Sequence, residues 1–230
     1  MGGSSMGVGM IGYSFMGAVH SHAWRTVGRV FDLGGDVDMR VVCGRNDEAV
    51  TAAAAKYGWQ SAETDWRAVI ARDDIDIIDV CTPGSSHEEI AVAALNAGKH
   101  VICEKPLANT VAEAERMAAA AQASSGKSMV AFNYRRVPAL AYARELVQQG
   151  RLGRIFHVRA VYLQDWIIDP EFPLVWRLVK EEAGSGALGD LGAHIVDAAQ
   201  FVTGSQITNV SGELRTSSAE RPLVGDTPLL

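Results

Sequence analysis

From Gly7 to about Phe132 the chain alternates short runs of β-type residues with longer segments of helical period, and this alternation constrains its fold more than any other feature. Short strands separated by helix-length connections build a parallel sheet covered by helices, because parallel neighbours need a crossover long enough to bring the chain back. The strands read as Val8–Ile11, Arg40–Cys43, Ile75–Val80, His100–Cys103 and Met129–Phe132. The third is apolar apart from Asp76 and Asp79, the composition of a strand buried on both faces. Between them Phe15–Phe31, Asp47–Tyr57, Ser86–Ala97 and Val111–Ala123 are rich in good helix formers, and Gly58, Gly98 and Gly126 close three of them. The expected class is α/β, with a doubly wound parallel sheet over residues 6–132.

After Phe132 the rhythm changes. A helix is expected over Val137–Gln149, a long strand over Arg154–Gln164, then an irregular stretch rich in Trp, Asp and Pro. The glycine-rich run Gly184–Gly189 leads into a helix over Asp190–Val202, and a further strand is expected over Gln206–Leu214. Residues 133–230 thus read as a second, α+β domain. Two strands and so few helices make a poor core, since an isolated hairpin is marginal in water, so this domain is expected to be partial or to lean on the first.

Composition narrows the function classes. With 48% hydrophobic and 21% charged residues the chain can bury a core, which excludes wholesale disorder. A formal charge of −6 argues against a nucleic-acid partner. No run approaches the roughly 18 apolar residues that span a bilayer, and no basic leader opens the chain, so no membrane partner and a cytoplasmic location are expected. Met1–Ser5 reads as a flexible leader outside the fold. Cys43, Cys81 and Cys103 each end an apolar run, are odd in number and lack metal spacing; they read as free, mostly buried thiols without chemistry of their own.

The glycine pattern GxGxxG occurs at Gly7–Gly12, but that frame lies inside the first strand, where no phosphate can sit. The frame placed between strand and helix is Gly12-Tyr13-Ser14-Phe15-Met16-Gly17, with Ser14 where a second glycine is expected. The amides that open the next helix offer an anion site there. After the second strand comes Gly44-Arg45-Asn46-Asp47, with no carboxylate in the first position past the strand. Arg45 can pair with a 2′-phosphate, which tilts the choice toward NADP, while Asp47 is near enough to favour NAD; both cofactors stay open. Two further strand ends carry Thr82, Pro83 and His87, and Glu104-Lys105-Pro106. Proline after Lys105 keeps that residue out of a helix and holds its ammonium in an extended turn at the sheet edge.

In the second domain, Asp190, His194 and Asp197 share one helix face by their spacing of four and seven. An ordinary imidazole changes charge near neutrality, so His194 can accept a hydroxyl proton, Asp190 can orient its ring, and Asp197 is left structural. No second histidine stands at metal spacing, so no metal is expected.

These pieces, in this order, resemble the glucose-fructose oxidoreductase / inositol dehydrogenase (Gfo/Idh/MocA) family, over nearly all of Val8–Leu214. Its marks are a glycine turn after strand one, a Glu-Lys-Pro turn, and a glycine-rich lead into Asp-x-x-x-His. The segments Phe132–Arg136, Tyr162–Trp166 and Trp176-Arg177 are most similar to the family's sugar dehydrogenases. The resemblance implies a Rossmann-like domain followed by a mostly antiparallel α+β domain that is truncated here, since the family continues beyond a position such as Leu230 with several more strands. It also implies a homo-oligomer, dimer or tetramer, and catalysis by Lys105, Asp190 and His194. Gly12, Ser14, Phe15, Met16, Gly17, Gly44, Arg45, Thr82, Pro83, His87, Glu104 and Asn133 would hold NAD or NADP. Asn133, Gln164, Trp166 and Arg177 would contact a sugar or polyol, whose hydroxyls need hydrogen bonds and whose ring needs an apolar face. The expected reaction moves a hydride between a hydroxyl-bearing carbon and nicotinamide C4. A non-catalytic nucleotide-binding module, used for sensing or assembly, is the rival reading.

Overall fold

The computed structural model of the chain describes residues 5–223; Met1–Ser4 of the expected leader and the last residues of the second domain lie outside the described residues. The described chain forms two compact units that part between Ala131 and Phe132.

The first unit is a parallel sheet of β1 (Met6–Ile11), β2 (Val37–Cys43), β3 (Ser61–Glu63), β4 (Ile77–Val80), β5 (His100–Cys103) and β6 (Ser128–Val130). Its order is β3-β2-β1-β4-β5-β6, every neighbour parallel. The winding reverses between β1 and β4, so a crevice opens beyond the carboxyl ends of those strands. Helices α1 (Phe15–Val30), α2 (Asp47–Tyr57), α3 (Trp66–Ile70), α4 (His87–Asn96) and α5 (Val111–Ala123) connect them. Their ends follow from local chemistry. Asn46 accepts from the Ala49 amide to start α2, Gly58 closes it in the left-handed region, and Thr110 with Glu113 forms a reciprocal capping box on α5.

Strand side chains seal both faces. Ile11, Val41, Ile78, Val80 and Val101 pack with Val69, Ile90 and Met117, while Val8, Met10 and Val42 pack with Val50, Ala54 and Trp59 on the other side. The glycines of the misplaced GxGxxG frame belong to this packing: a Cβ on Gly7 would fall 1.9 Å from the Asp74 carbonyl oxygen, and one on Gly9 2.6 Å from Val69. The short β3 and α3 were not expected from sequence. Ser61-Ala62-Glu63 has no β-type residue, and α3 is too brief to show a period; Asp65, which accepts from the Arg67 amide, is the local signal that a helix starts there.

The second unit contains α6 (Pro138–Gln148), with proline at its first turn, α7 (Lys180–Ala183), a π-helical turn at Leu188–Gly192 and α8 (Ala193–Thr203), closed by Gly204. Helices α6 and α8 pack together, and the Arg144 guanidinium lies 4.4 Å from the centre of the Phe201 ring. The strands expected at 154–164 and 206–214, and with them the mostly antiparallel sheet, are absent among the described residues. A strand exists by pairing, and neither segment has a ladder partner among those residues, so an alternating sequence there yields no sheet. Their apolar side chains stand in solvent, with Phe156 83%, Leu163 85% and Val210 89% exposed. Among the described residues no helix is long and apolar enough to cross a membrane.

Candidate functional site

Four strand ends of the first unit carry the residues singled out by sequence. Gly12 follows β1 at φ +101°, its amide donates to the Cys43 carbonyl at 2.9 Å, and an added Cβ would sit 2.7 Å from the Cys81 carbonyl oxygen. Gly17 lies against the same turn, because a Cβ there would meet the Gly12 oxygen at 2.3 Å. Glycine is therefore required at both ends of the turn, once for backbone conformation and once for close approach. Ser14 is exposed and precedes α1 in extended conformation, and its hydroxyl makes no cap bond. Phe15 is exposed and Met16 half-buried in the first turn, which carries no acidic residue. The helix amides thus face outward with their positive end uncompensated by a carboxylate, a setting that fits a pyrophosphate.

Beyond β2, a Cβ on Gly44 would strike the Tyr13 ring at 2.0 Å, so Tyr13 covers the backbone at that point. Arg45 is exposed, and Asp47 and Glu48 follow it in the first turn of α2. Beyond β4, the Ser86 hydroxyl is shared between Thr82 Oγ1 at 2.8 Å and the Pro83 carbonyl at 2.9 Å. His87, expected among the cofactor residues, is buried with its ring nitrogens on the carbonyls of Thr82 (2.8 Å) and Pro106 (2.9 Å). Both nitrogens are occupied, which corrects that assignment: His87 ties the β4 loop to the Glu104-Lys105-Pro106 turn. Lys105 is half-buried, and its backbone amide donates to Glu104 Oε2 at 3.1 Å.

Sequence reasoning missed the ion cluster behind these turns. His20 Nδ1 lies 3.0 Å from both oxygens of Asp79, and Nε2 lies 3.0 Å from Glu104 Oε1. Trp24 Nε1 donates to Asp79 Oδ2 at 2.7 Å, and the Cys81 thiol points to Asp79 Oδ1 at 3.6 Å. Burial pulls the imidazolium down, but its bonds to Asp79 and Glu104 outweigh it and raise His20 from 6.5 to about 10. Burial, with the charges of Asp79 and Glu104, pushes the Cys81 thiol well above its ordinary value. His20, Asp79 and Cys81 bring ligand-type atoms within 4.8 Å of one another. The cue was present in the sequence: a carboxylate at position 79 of an apolar strand, and His20 and Trp24 four apart on one helix face.

In the second unit, His194 is 7% exposed and stacked on Tyr134, with ring centres 4.4 Å apart and planes at 29°. The Tyr134 and Tyr162 hydroxyls are 2.5 Å apart, Gln164 Nε2 donates to the Tyr162 oxygen at 2.9 Å, and Trp166 Nε1 donates to Gln164 Oε1 at 2.9 Å. His194, Gln164 and Trp166 are therefore joined by a pair of tyrosines that sequence reasoning left without a role. The Tyr162 bond, then burial and the charges of Tyr162 and Asp190, push the Tyr134 phenol up to about 12, so it stays protonated at neutral pH. Asp190 sits in the π-helical turn that runs directly into α8, one helical turn before His194. Asp197 is buried against Arg135, whose Nε donates to Oδ2 at 2.8 Å and whose Nη2 donates to Oδ1, a structural role. Asn133 is exposed, and the Arg177 guanidinium stacks 4.4 Å from the centre of the Trp176 ring.

Residues 6–132 match the family described as an oxidoreductase family with an NAD-binding Rossmann fold, GFO_IDH_MocA, and residues 140–227 match the GFO/IDH/MocA C-terminal domain. Levoglucosan dehydrogenase of Pseudarthrobacter phenanthrenivorans is 44% identical over 95% of this chain and 56% of its own length. The crystal structure of an oxidoreductase domain protein from Kribbella flavida has 64% identity and a TM-score of 0.93, over 95% of this chain and 58% of that one. A levoglucosan dehydrogenase in complex with NADH and levoglucosan has 43% identity and a TM-score of 0.93, over 96% of this chain and 60% of that one. The chain thus spans a little over half the length of the relatives it matches. The NAD-binding fold and the NADH in that complex give no support to a tilt toward NADP.

The ion cluster makes stability depend on pH. The folded His20 value lies above 6.5, so the folded chain holds a proton that the unfolded chain releases; the stabilisation is complete below pH 6.5 and lost as pH rises toward about 10. Urea unfolding followed by tryptophan fluorescence is expected to show stability falling across that window. His20→Gln should flatten the slope, and an equally steep slope in that variant would contradict the assignment.

Proposed function

The chain belongs to the GFO/IDH/MocA oxidoreductase family, and on that premise we propose that it is an NAD-dependent dehydrogenase of a sugar or polyol. The observation that carries this reading is the turn at Gly12–Gly17, closed to any side chain at both ends and opening an acid-free helix N-terminus at the point where the sheet reverses. Bound there, the dinucleotide supplies nicotinamide C4 as hydride acceptor.

The chain's own groups then handle the proton and the charge. His194 removes the proton from the hydroxyl borne by the carbon that yields the hydride, Lys105 steadies the oxygen as negative charge develops, and Asp190 orients His194. A positioned acid-base group of this kind contributes about 10² to 10⁴ in rate. Stacking on Tyr134 fixes the plane of the His194 ring. Tyr162, Gln164 and Trp166 offer hydroxyl, amide and indole groups beside aromatic faces, the chemistry a hydroxyl-rich ring needs; levoglucosan is the first substrate to try. A binding module for sensing or assembly has no use for Lys105, Asp190 and His194 together.

For the cofactor, NAD is preferred over NADP in this reading. The carboxylates of Asp47 and Glu48 follow directly after the Arg45 turn, and a 2′-phosphate would meet their charge. The same proposal places the enzyme in the cytoplasm, as a homo-oligomer. The exposed apolar side chains of Phe156 and Leu163 support association.

Two outcomes are expected. Fluorescence titration should give NADH a Kd at least about tenfold below that of NADPH, a difference of about 1.4 kcal/mol; tighter binding of NADPH would reverse the assignment. Lys105→Ala should lower turnover of levoglucosan by about 10² or more while the NADH Kd changes little, and normal turnover in that variant would remove Lys105 from the mechanism.

A further inference from the structure

We propose that His20 is a positioning residue for this reaction, clamping the helix behind the glycine turn to the strand ends that carry Lys105. The inference rests on the dehydrogenase reading and deepens it on the cofactor side.

His20 stands one turn into α1, three residues beyond Gly17. Its ring crosses the end of the sheet and reaches two carboxylates from different strands, Asp79 of β4 and Glu104 just past β5, at 3.0 Å each. Every carboxylate oxygen in the cluster faces a donor. Asp79 Oδ2 also takes the Trp24 indole at 2.7 Å, Oδ1 the Cys81 thiol at 3.6 Å, and Glu104 Oε2 the Lys105 backbone amide at 3.1 Å. The titratable groups facing the imidazole are therefore Asp79 from β4, Glu104 past β5 and the Cys81 thiol beyond β4, with the indole of Trp24 from its own helix. With acceptors on both sides of the ring, the proton count closes when both ring nitrogens donate, as an imidazolium does.

Such a cluster is a costly way to hold a sheet together. Asp79 is 0% exposed inside the apolar run of β4, and burying charged groups carries a desolvation penalty that packed aliphatic residues avoid. What charged hydrogen bonds add is direction. They fix the distance from the cofactor helix to the Glu104 carboxylate, and that carboxylate holds the amide of Lys105. His20 thus holds the helix behind the glycine turn, where a shift weakens NADH binding, and through Glu104 the turn that carries Lys105, where a misplacement of about 1 Å at a reacting group can cost about 10² in rate.

The test titrates NADH into the full chain, by energy transfer from tryptophan, from neutral to strongly alkaline pH. Wild type, His20→Gln, Asp79→Asn and Lys105→Ala are compared, each with a thermal melt. Wild type should keep its affinity until the His20 proton is lost near pH 10 and weaken above it. Asp79→Asn removes one of the two carboxylates and should move that fall at least about one pH unit lower. His20→Gln should bind NADH about tenfold more weakly at neutral pH and show no such fall. Lys105→Ala should keep the wild-type profile, which shows that the fall is not the titration of Lys105. Variants that melt lower yet bind NADH with the wild-type affinity and pH profile would reduce His20 to a structural group and overturn the proposal. If His20→Gln does not fold, the profile of Asp79→Asn decides. Failure of wild type to bind NADH at any pH would instead overturn the dehydrogenase reading, and this inference with it.

Discussion

No side chain fits at Gly12 or Gly17, the two glycines that bracket the turn between β1 and α1, and much of the first unit is arranged around that exclusion. Gly12 has a positive φ, donates its amide to the end of β2 and lies against the end of β4, while Gly17 brings the helix down onto the same peptide. The result is a helix N-terminus held at the reversal point of a parallel sheet, with its amides directed outward. Tyr13 packs over Gly44 and secures the next loop, and His87 joins the two loops beyond. Each of these contacts is set by hard-sphere distance or by a buried hydrogen bond, which leaves the strand-end loops little room to drift.

Behind the turn, charge does what packing cannot. An aliphatic core resists compression but allows side chains of similar volume to exchange places. The His20–Asp79–Glu104 cluster, with Trp24 and the Lys105 amide attached, has a defined partner for each atom. In the second unit the stack of Tyr134 on His194 and the chain through Tyr162, Gln164 and Trp166 follow a similar logic, aromatic area for ring orientation and hydrogen bonds for register.

The first sheet was legible because its signals are local. Runs such as Ile75–Val80 sit between Ala-rich segments closed by glycine, and five of the six strands could be read within a few residues. Ser61–Glu63 escaped because it is a strand by virtue of its neighbour β2, not of its own side chains. The same dependence on a partner explains the opposite error at 154–164 and 206–214, where alternation is present and pairing is not. In the candidate site, Gly12, Gly17 and Lys105 could be read from their places beside strands, helices and proline. For His20 the sequence carries only separate cues, its spacing from Trp24 and the carboxylate within β4; their pairing could not be read, because its partners lie 59 and 84 residues away in the chain and periodicity carries no information about pairs so distant. Tyr134 and Tyr162 stood inside recognised segments, but their mutual bond and the stack on His194 are properties of the folded unit.

The central claim, that a hydride leaves a sugar carbon for nicotinamide on this chain, is tested most directly by isotope transfer. Levoglucosan deuterated on every carbon is incubated with the chain and NAD⁺, and the reduced cofactor is analysed by mass spectrometry. Reduced nicotinamide is expected to carry one deuterium at C4, with none lost to water. Reduced cofactor bearing solvent hydrogen at C4, or no reduction across a panel of sugars and polyols when NADH demonstrably binds, would contradict it.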